Sequence, residues 1–250
     1  MRTVILFVIS LLISPLWASA SDISAIQLME RLQQRFTADG AAQTIQDVQA
    51  DFFQKASIAS LNRVQTGRGT MAMAFDHSGS SISSTLFHWI YAVPNQQQVI
   101  SDGKTLWVYL PDNNQVMVSE VNDKSYYSED PLLFLRNLGQ LSSHFAVQFA
   151  PMEPSTDVKP EYYQLLLTPL QPSVYIQSLQ LEVPLWLGSA PQQLGFPLHS
   201  ATIIDPTGNK TQLEFRNVKI NQHLALDQFS FTVPAGVDVV NPADLTLDFK

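Results

Sequence analysis

The sequence has no cysteine among its 250 residues. Disulfide bonds, thiol nucleophiles, cysteine-ligated zinc or iron–sulfur centres and acylation of an N-terminal cysteine are therefore excluded. Glycine is also sparse, with 10 residues against 15 prolines. Glycine-rich loops cradle phosphate groups in nucleotide enzymes, and neither GxGxxG nor GxxxxGKS/T occurs here. The sequence therefore does not indicate a nucleotide cofactor.

Charged residues are scarce, and their balance is acidic. They make up 14% of the sequence, against about 25% in an average soluble domain, while hydrophobic residues make up 45%. This composition predicts a folded chain rather than a disordered one. Because 14 Lys and Arg face 22 Asp and Glu and no basic cluster is present, nucleic acid is excluded as a partner.

No sequence motif for catalysis or metal binding is present. The two closest histidines, His77 and His88, are 11 residues apart, so HxH, HxxxH and HExxH patterns are absent. Residues 77–81 (HSGSS) do not supply the GxSxG turn of α/β-hydrolases. Acidic residues are scattered singly, which leaves a two-carboxylate glycosidase open without indicating one. We predict a protein that is not an enzyme, with no catalytic residue, metal site or cofactor.

The N-terminus has the pattern of a secretory signal peptide. Met1 and Arg2 precede an apolar run that closes on residues 18–20 (ASA), a small-x-small cleavage pattern. An uncleaved membrane anchor is the alternative, but about 14 apolar residues are short for a bilayer that needs about 20. We predict that residues 1–20 are removed and that residues 21–250 form a single domain. Position 21 is Ser rather than Cys, so a soluble protein without lipid is expected.

Two helices are predicted. From Asp22 onwards, apolar residues recur at spacings of three and four with polar residues between them. A second helix is predicted from Asp130, its cap, through Pro131 to Gly139. The apolar stripe of the first helix comprises Ile23, Ile26, Met29, Leu32 and Phe36.

Most of the remaining chain alternates apolar and polar residues with the period of β-strands. Tight turns at residues 101–104 (SDGK) and 111–114 (PDNN) join successive strands into an antiparallel meander. Helices and strands do not alternate regularly, which argues against a doubly wound α/β fold. About ten or eleven strands are predicted, among them 48–52, 71–75, 86–93, 105–110, 115–120, 145–149, 162–168, 176–183, 198–204, 212–220 and 229–233.

Two of these strands are apolar on both faces. Residues 106–110 (LWVYL) contain no polar group except the tyrosine hydroxyl, and the main polar residue of 86–93 is His88. Both faces of the sheet therefore need to be covered. Ordinary core packing is one interpretation. The other is a partly open barrel whose concave face, under a helical lid, receives an apolar ligand. Residues 76–85 (DHSGSSISST) and 184–197 (PLWLGSAPQQLGFP) are predicted to be irregular loops.

The central part of the sequence resembles the LolA family. Residues 87–95 (FHWIYAVPN), 100–111 (ISDGKTLWVYLP) and 115–116 (QV) are similar, with matching spacing, to its F-x-W-x-Y-x-x-P, SDGKTLWxYxP and QV signature. Residues 130–133 (DPLL) and 229–237 (FSFTVPAGV) resemble the start of its central helix and the end of its chain.

The resemblance implies a fold that is mostly β with an α lid, an incomplete, highly curved antiparallel β-barrel of about eleven strands covered by helices. LolA proteins shield the acyl chains of triacylated lipoproteins during passage through the periplasm. They receive this cargo from an inner-membrane ABC exporter (LolCDE-like) and deliver it to an outer-membrane acceptor (LolB-like). A monomeric carrier, soluble in the periplasm of a Gram-negative bacterium, is therefore expected.

The resemblance also implies which residues form the acyl-binding cavity and its lid. On the strands these are Phe87, Trp89, Tyr91 and Val99. On the two helices they are Leu32, Leu132 and Leu135. For each of them, ordinary core packing is the alternative interpretation.

One departure from the family pattern concerns lid closure. LolA proteins commonly have Arg-Pro just before the F-x-W strand, and that arginine hydrogen-bonds to the lid. Residues 76–85 contain no Arg or Lys, and Arg68 does not occupy the motif position. How the lid would close is left open. A sensor module of the same fold, which reads lipid or lipoprotein as RseB-like relatives do, is the second functional hypothesis.

Overall fold

Twelve β-strands form one sheet in this computed structural model, which describes residues 23–37, 44–76, 84–121, 133–151, 161–190 and 192–240. Their order across the sheet is β12-β6-β5-β4-β3-β2-β1-β11-β10-β9-β8-β7. The strands are β1 Asp47–Ile58, β2 Arg63–Asp76, β3 Ser84–Val93, β4 Gln97–Ser101, β5 Thr105–Leu110, β6 Gln115–Glu120, β7 Phe145–Phe149, β8 Tyr162–Pro169, β9 Ser178–Pro184, β10 Ser200–Ile204, β11 Lys210–Ile220 and β12 Asp238–Val240.

Neighbouring strands pair antiparallel throughout, except for β12 and β6, which pair parallel. Turn chemistry explains the short connections. The Asp102 carboxylate accepts hydrogen bonds from the backbone N–H groups of Lys104 and Thr105, at 2.9 and 2.7 Å. Asn62 and Asn114 take left-handed backbone conformations with φ of 46° and 51°, which asparagine tolerates better than most residues.

The sheet is curled and open. Twelve strands laid flat at about 4.8 Å spacing would span about 50 Å. Trp89 on β3 and Phe215 on β11 are three strand spacings apart, which is about 14 Å in a flat sheet, but their ring centroids lie 6.5 Å apart, so the sheet curls around its core. Strands β12 and β7 stand at opposite ends of the hydrogen-bonded order. The expected incomplete, highly curved barrel is confirmed, with twelve strands rather than about eleven.

The first helix, α1 (Ala25–Gln34), begins later than Asp22. Ser24 caps it by accepting from the backbone N–H of Gln27, while the Gln27 side chain accepts from the backbone N–H of Ser24. Ile26, placed in the predicted stripe, is 63% exposed. Residues 25, 28, 29 and 32 share one face of a helix, as do the predicted residues 23, 26, 29, 32 and 36. The face that is buried consists of Ala25, Leu28, Met29 and Leu32.

The second helix ends earlier than predicted. Residues 130–132, with the predicted cap and Pro131, lie outside the described residues. Helix α2 (Leu133–Arg136) stops before Asn137, because the φ of −113° and ψ of 23° at Asn137 are not α-helical. A 3-10 segment, Leu138–Ser143, follows with a further break at Gln140.

The two predicted loops also contain regular structure. Asp76 and Ser84 are paired ends of β2 and β3, as are Phe75 and Thr85, so these strands reach into the predicted 76–85 loop. Within residues 184–197 lies a helix, α3 (Leu185–Ser189). The pattern LWLGS is too short to show helical periodicity, which explains why the sequence indicated a loop.

The predicted strand at 229–233 is wrong. Phe229 instead ends a 3-10 turn, Leu226–Phe229, and the following residues run across the convex face of the sheet. There the Phe229 ring packs with Ala72 and Ala74 of β2, and Phe231 contacts Trp107 and Tyr109 of β5 at ring centroid distances of 6.3 and 5.3 Å. This C-terminal segment is the cover that the two-sided apolar strands require.

The start of the C-terminal segment is fixed to β1. The Asp47 carboxylate accepts the backbone N–H groups of Gln222, His223 and Leu224 at 2.6, 2.8 and 3.3 Å. The Asn221 side chain donates to the Thr44 carbonyl and accepts from the Gln46 N–H. Among the described residues, no helix is long and apolar enough to cross a membrane.

Candidate functional site

The concave face of the curled sheet is a continuous apolar wall. Along strands β1, β2 and β3, the side chains at every second position point inward and are buried. Because β1 pairs with β2 and β2 with β3 in register, these side chains form rows across the wall. They are Val48, Ala50, Phe52, Met71, Met73, Phe75, Phe87 and Trp89.

Six of the seven residues predicted for the cavity and lid lie together in the core that this wall encloses. Five are buried, namely Leu32, Phe87, Trp89, Val99 and Leu135. Tyr91 is partly buried and packs against the same cluster. The seventh, Leu132, lies outside the described residues. Wall and lid residues that are far apart in sequence are thus in one cluster.

A chain of aromatic rings crosses the interior from the wall to the cover. Trp89 lies 4.4 Å from Phe52 and 6.5 Å from Phe215 of β11, measured between ring centroids. Phe215 contacts Phe196 at 5.9 Å, and Phe196 contacts Phe36 at 6.2 Å. Phe36 follows α1 and Phe196 follows α3, so both rings reach inward from the covering elements.

The cover has more parts than the two predicted helices. Helix α1 packs against the 3-10 segment Leu138–Ser143, against β7 and against α3. The backbone N–H of Ser142 donates to Gln33 Oε1 at 2.7 Å. Sequence reasoning missed the contribution of residues 184–197, although Trp186 and Phe196 in that apolar stretch were a usable signal. The buried side chains of the cover include Leu28, Leu32, Phe134, Leu135, Leu138, Leu141, Leu187 and Phe196.

Two arginines on one face of α1 hold it against the segment 185–193. Arg31 Nη1 donates to the carbonyl oxygens of Leu187 and Gly188 at 3.2 and 2.6 Å. Arg35 Nη2 donates to the Gln193 carbonyl at 3.0 Å, and its guanidinium lies 5.3 Å from the Trp186 ring centroid. Burial lowers the pKa of Arg35, because desolvation penalises the charged form.

A third contact fastens α2 to the beginning of β3. The Thr85 hydroxyl donates to the backbone carbonyl of Arg136 at 3.1 Å. The Arg136 guanidinium lies 5.8 Å from the Phe87 ring centroid, within cation–π range. Thr85 lies two residues before Phe87, in the stretch where the family pattern has an arginine and this sequence has none.

A hollow of about 680 Å³ lies on the convex face of the sheet. Charged and polar groups, including Asp51, His88, Asn217 and Lys219, contribute to its lining. The ring of His88 contacts the Gln228 carbonyl and Gln98 Oε1, each at 3.0 Å. His88 therefore faces the convex side of β3. The polar lining differs from the apolar ligand site that the sequence predicts, so the concave interior is the better candidate.

The wall carries a polar contact at Tyr91. The Tyr91 hydroxyl donates to Gln54 Oε1 at 2.7 Å, which is a polar contact in an otherwise apolar wall. Within the described ranges, no group of three or more His, Asp or Glu side chains is arranged to hold a metal ion. The arrangement provides apolar surface under a cover held by hydrogen bonds.

Comparisons with known proteins agree with this geometry. The family described as "Outer membrane lipoprotein carrier protein LolA" matches residues 43–232. A protein of Pseudomonas aeruginosa named "Outer-membrane lipoprotein carrier protein" is 27% identical over 236 residues, covering 94% of this chain and 96% of its own length. One of the same name from Hahella chejuensis is 25% identical over 226 residues, with coverage of 90% and 96%.

Two solved structures are similar to this chain at lower sequence identity. One is a LolA superfamily protein from Nitrosomonas europaea, with a TM-score of 0.40 and 14% identity, covering 84% of this chain and 98% of its own. The other is the MucA/MucB complex of Pseudomonas aeruginosa, with a TM-score of 0.42 and 13% identity, covering 83% of this chain and 61% of that one.

Proposed function

The chain belongs to the LolA family, which matches it over residues 43–232, and we propose that it carries lipoproteins through the periplasm. In this proposal the concave interior binds the acyl chains, and α1, α2 and the segment 185–193 form the lid. The observation that supports this proposal most directly is that five predicted cavity and lid residues lie in one apolar core. They are Leu32, Phe87, Trp89, Val99 and Leu135. The relatives' name, outer-membrane lipoprotein carrier protein, supports the choice of cargo.

The physical demand on such a carrier is to hide hydrocarbon and still release it. Each methylene removed from water is stabilised by about 0.8 kcal/mol, so an acyl chain needs a long apolar surface. In the closed form, lid side chains such as Leu28, Leu135 and Leu187 occupy that surface. Loading therefore exchanges lid side chains for acyl chains. Binding stays reversible because the same apolar area is covered in both states.

Two features of the site favour an adaptable interior. Met71 and Met73 lie in the centre of the wall, and methionine side chains adjust to irregular shapes. Hydrogen bonds from Arg31 and Arg35 join two parts of the lid to each other, and Thr85 joins α2 to β3. Hydrogen bonds to backbone carbonyls can break and reform without a change in covalent structure.

The route of the cargo follows from the same proposal. Residues 1–20 act as a cleaved signal peptide, and residues 21–250 work as a single domain in the periplasm. An inner-membrane ABC exporter supplies triacylated lipoprotein, and an outer-membrane acceptor takes it. The protein binds and transfers its cargo without making or breaking covalent bonds.

The proposal is tested with purified mature protein and spheroplasts of the source bacterium that contain its own exporter. We expect triacylated lipoprotein to appear in the supernatant in a one-to-one complex with the protein. A lipoprotein whose N-terminal cysteine is replaced by serine is the control, since it cannot be acylated. Absence of release by folded protein would contradict the carrier function and favour a sensor of the same fold.

A further inference from the structure

Trp89 carries a buried N–H group that has no hydrogen-bond partner in the described structure. The side chain is 2% exposed, and its Nε1 atom is inaccessible to water. An indole N–H can only donate, and a buried donor without an acceptor destabilises the protein. Phenylalanine would fill much of the same space without this cost. The position therefore needs an explanation other than packing.

The surroundings of Trp89 are those of a ligand wall. Its ring is on the concave face, between Met71 of β2 and Val99 of β4 in the strand register. It packs on Phe52 and Phe215 at 4.4 and 6.5 Å. Apolar side chains of this kind offer no acceptor.

A polar contact lies beside it on the same wall. Tyr91 is two residues further along β3, with its ring centroid 6.5 Å from that of Trp89. Its hydroxyl donates to Gln54 Oε1 at 2.7 Å. The described part of the wall thus includes a polar region beside Trp89.

We propose that Trp89 Nε1–H donates a hydrogen bond to the carbonyl oxygen at the head of a bound acyl chain. The inference rests on the proposed function and specifies which part of the cargo the wall recognises. A hydrocarbon tail has no acceptor, whereas an ester or amide linkage places one at the end of each acyl chain. In the apolar interior this bond does not compete with water. Trp89 is therefore a positioning residue that favours acyl chains over alkyl chains of equal length.

The test compares two synthetic lipopeptides. One carries an N-acetylated glyceryl cysteine with two ester-linked chains, and the other carries the same two chains in ether linkage, so that the two differ only in the ester carbonyl groups and neither gains a charged amine. Affinities are measured by displacement of a fluorescent lipid probe from the whole mature protein. We expect the wild type to bind the acyl form roughly three- to tenfold more tightly. Trp89→Phe is expected to bind both at the level of the alkyl form.

Trp107→Phe is the matched control, because Trp107 is on the convex face against Phe231. It should keep the wild-type preference. Equal binding of the two lipopeptides by wild type would overturn the role of Trp89 while leaving the carrier function intact. Binding of neither lipopeptide by folded wild type would overturn the carrier function itself.

A second measurement is made on the wild type and uses a variant only to assign the signal. Indole ¹⁵N labelling of the wild type gives a separate NMR signal for the Trp89 N–H, assigned by its loss in Trp89→Phe or by labelling with the other tryptophans replaced. The acyl lipopeptide should shift this proton downfield, as hydrogen bonding does, and the alkyl analogue should not. The same shift with both ligands would contradict the inference.

Discussion

Arg31 Nη1 lies 2.6 Å from the carbonyl oxygen of Gly188 and joins the first helix to a segment 157 residues away in sequence. Arg35, one turn further along α1, makes the equivalent bond to the Gln193 carbonyl. Residues four apart on a helix share one face. The two arginines therefore join α1 to the segment 185–193, and these two parts of the lid can move apart only if the hydrogen bonds break.

Removing these arginines should loosen the lid. We expect Arg31→Ala and Arg35→Ala each to lower the free energy of unfolding by about 1 to 2 kcal/mol, because a charged donor to a partly buried carbonyl is lost. Hydrogen exchange of the α1 amides, measured by mass spectrometry, should be faster in both variants. Arg63→Ala is the control, since Arg63 is exposed at the start of β2. Exchange in α1 equal to that of the control would contradict the role of the arginines.

The C-terminal segment should contribute strongly to stability. Phe229 is fully buried with Ala72 and Ala74 on the convex face. We expect Phe229→Ala to cost about 3 to 5 kcal/mol, the range for emptying a buried aromatic site. Urea unfolding measures this, with Phe149→Ala as control because Phe149 is 40% exposed. Similar losses in the two variants would show that the convex face does not depend on this cover.

Acid should weaken the turn between β10 and β11. Burial of the Asp205 carboxyl would raise its pKa, but hydrogen bonds from Thr207 and Asn209 outweigh this and lower the pKa from its ordinary value. A lowered pKa in the folded state stabilises the protein above the unfolded pKa of about 4, and this contribution disappears as pH falls through the folded value.

The corresponding variant is Asp205→Asn, which cannot ionise. We expect it to be less stable than wild type at pH 7 and to lose less stability on acidification to about pH 2. Urea unfolding at the two pH values measures the difference. Asp112→Asn, in an exposed turn, serves as control. An unchanged loss between the two pH values in Asp205→Asn would contradict the assignment.

A charge placed on the concave wall should impair loading. We expect Trp89→Glu or Phe87→Glu to reduce lipoprotein release at least tenfold, because a carboxylate in an apolar site is costly to desolvate. Ile90→Glu is the matched control, since Ile90 is on the same strand and faces the convex hollow. Circular dichroism spectra establish that the compared proteins are folded. Wild-type loading by folded Trp89→Glu would contradict the cavity assignment.

The strands were the part of the fold that the sequence predicted best. Alternation along residues 105–110, 115–120 and 145–149 gave the bounds that β5, β6 and β7 have in the structure. Period two is a local signal, and turn residues such as Asp102 mark where it stops. Strand order and curvature depend on long-range pairing. The curvature came from the family resemblance, and the order of the strands outside the meander was not predicted.

The errors occurred where a local pattern does not determine the packing. On α1 two helical faces were compatible with the apolar residues, and contacts with the rest of the protein buried Leu28 rather than Ile26. Residues 229–233 alternate like a strand, but Phe229 and Phe231 pack onto the outside of the sheet. The bonds of Arg31 and Arg35 join chain segments more than 150 residues apart, and no local signal encodes such contacts.

The central claim is that acyl chains lie against the concave wall. Adjacent residues of β1 provide a direct test, because Phe52 is 3% exposed on the concave side and Phe53 is 37% exposed on the convex side. Each is replaced in turn by a photoreactive phenylalanine analogue, and the protein is loaded from spheroplasts and irradiated. The account predicts an adduct between position 52 and the lipid part of the lipoprotein, and none from position 53. Adducts from position 53 alone, with equal folding and loading of both proteins, would contradict it.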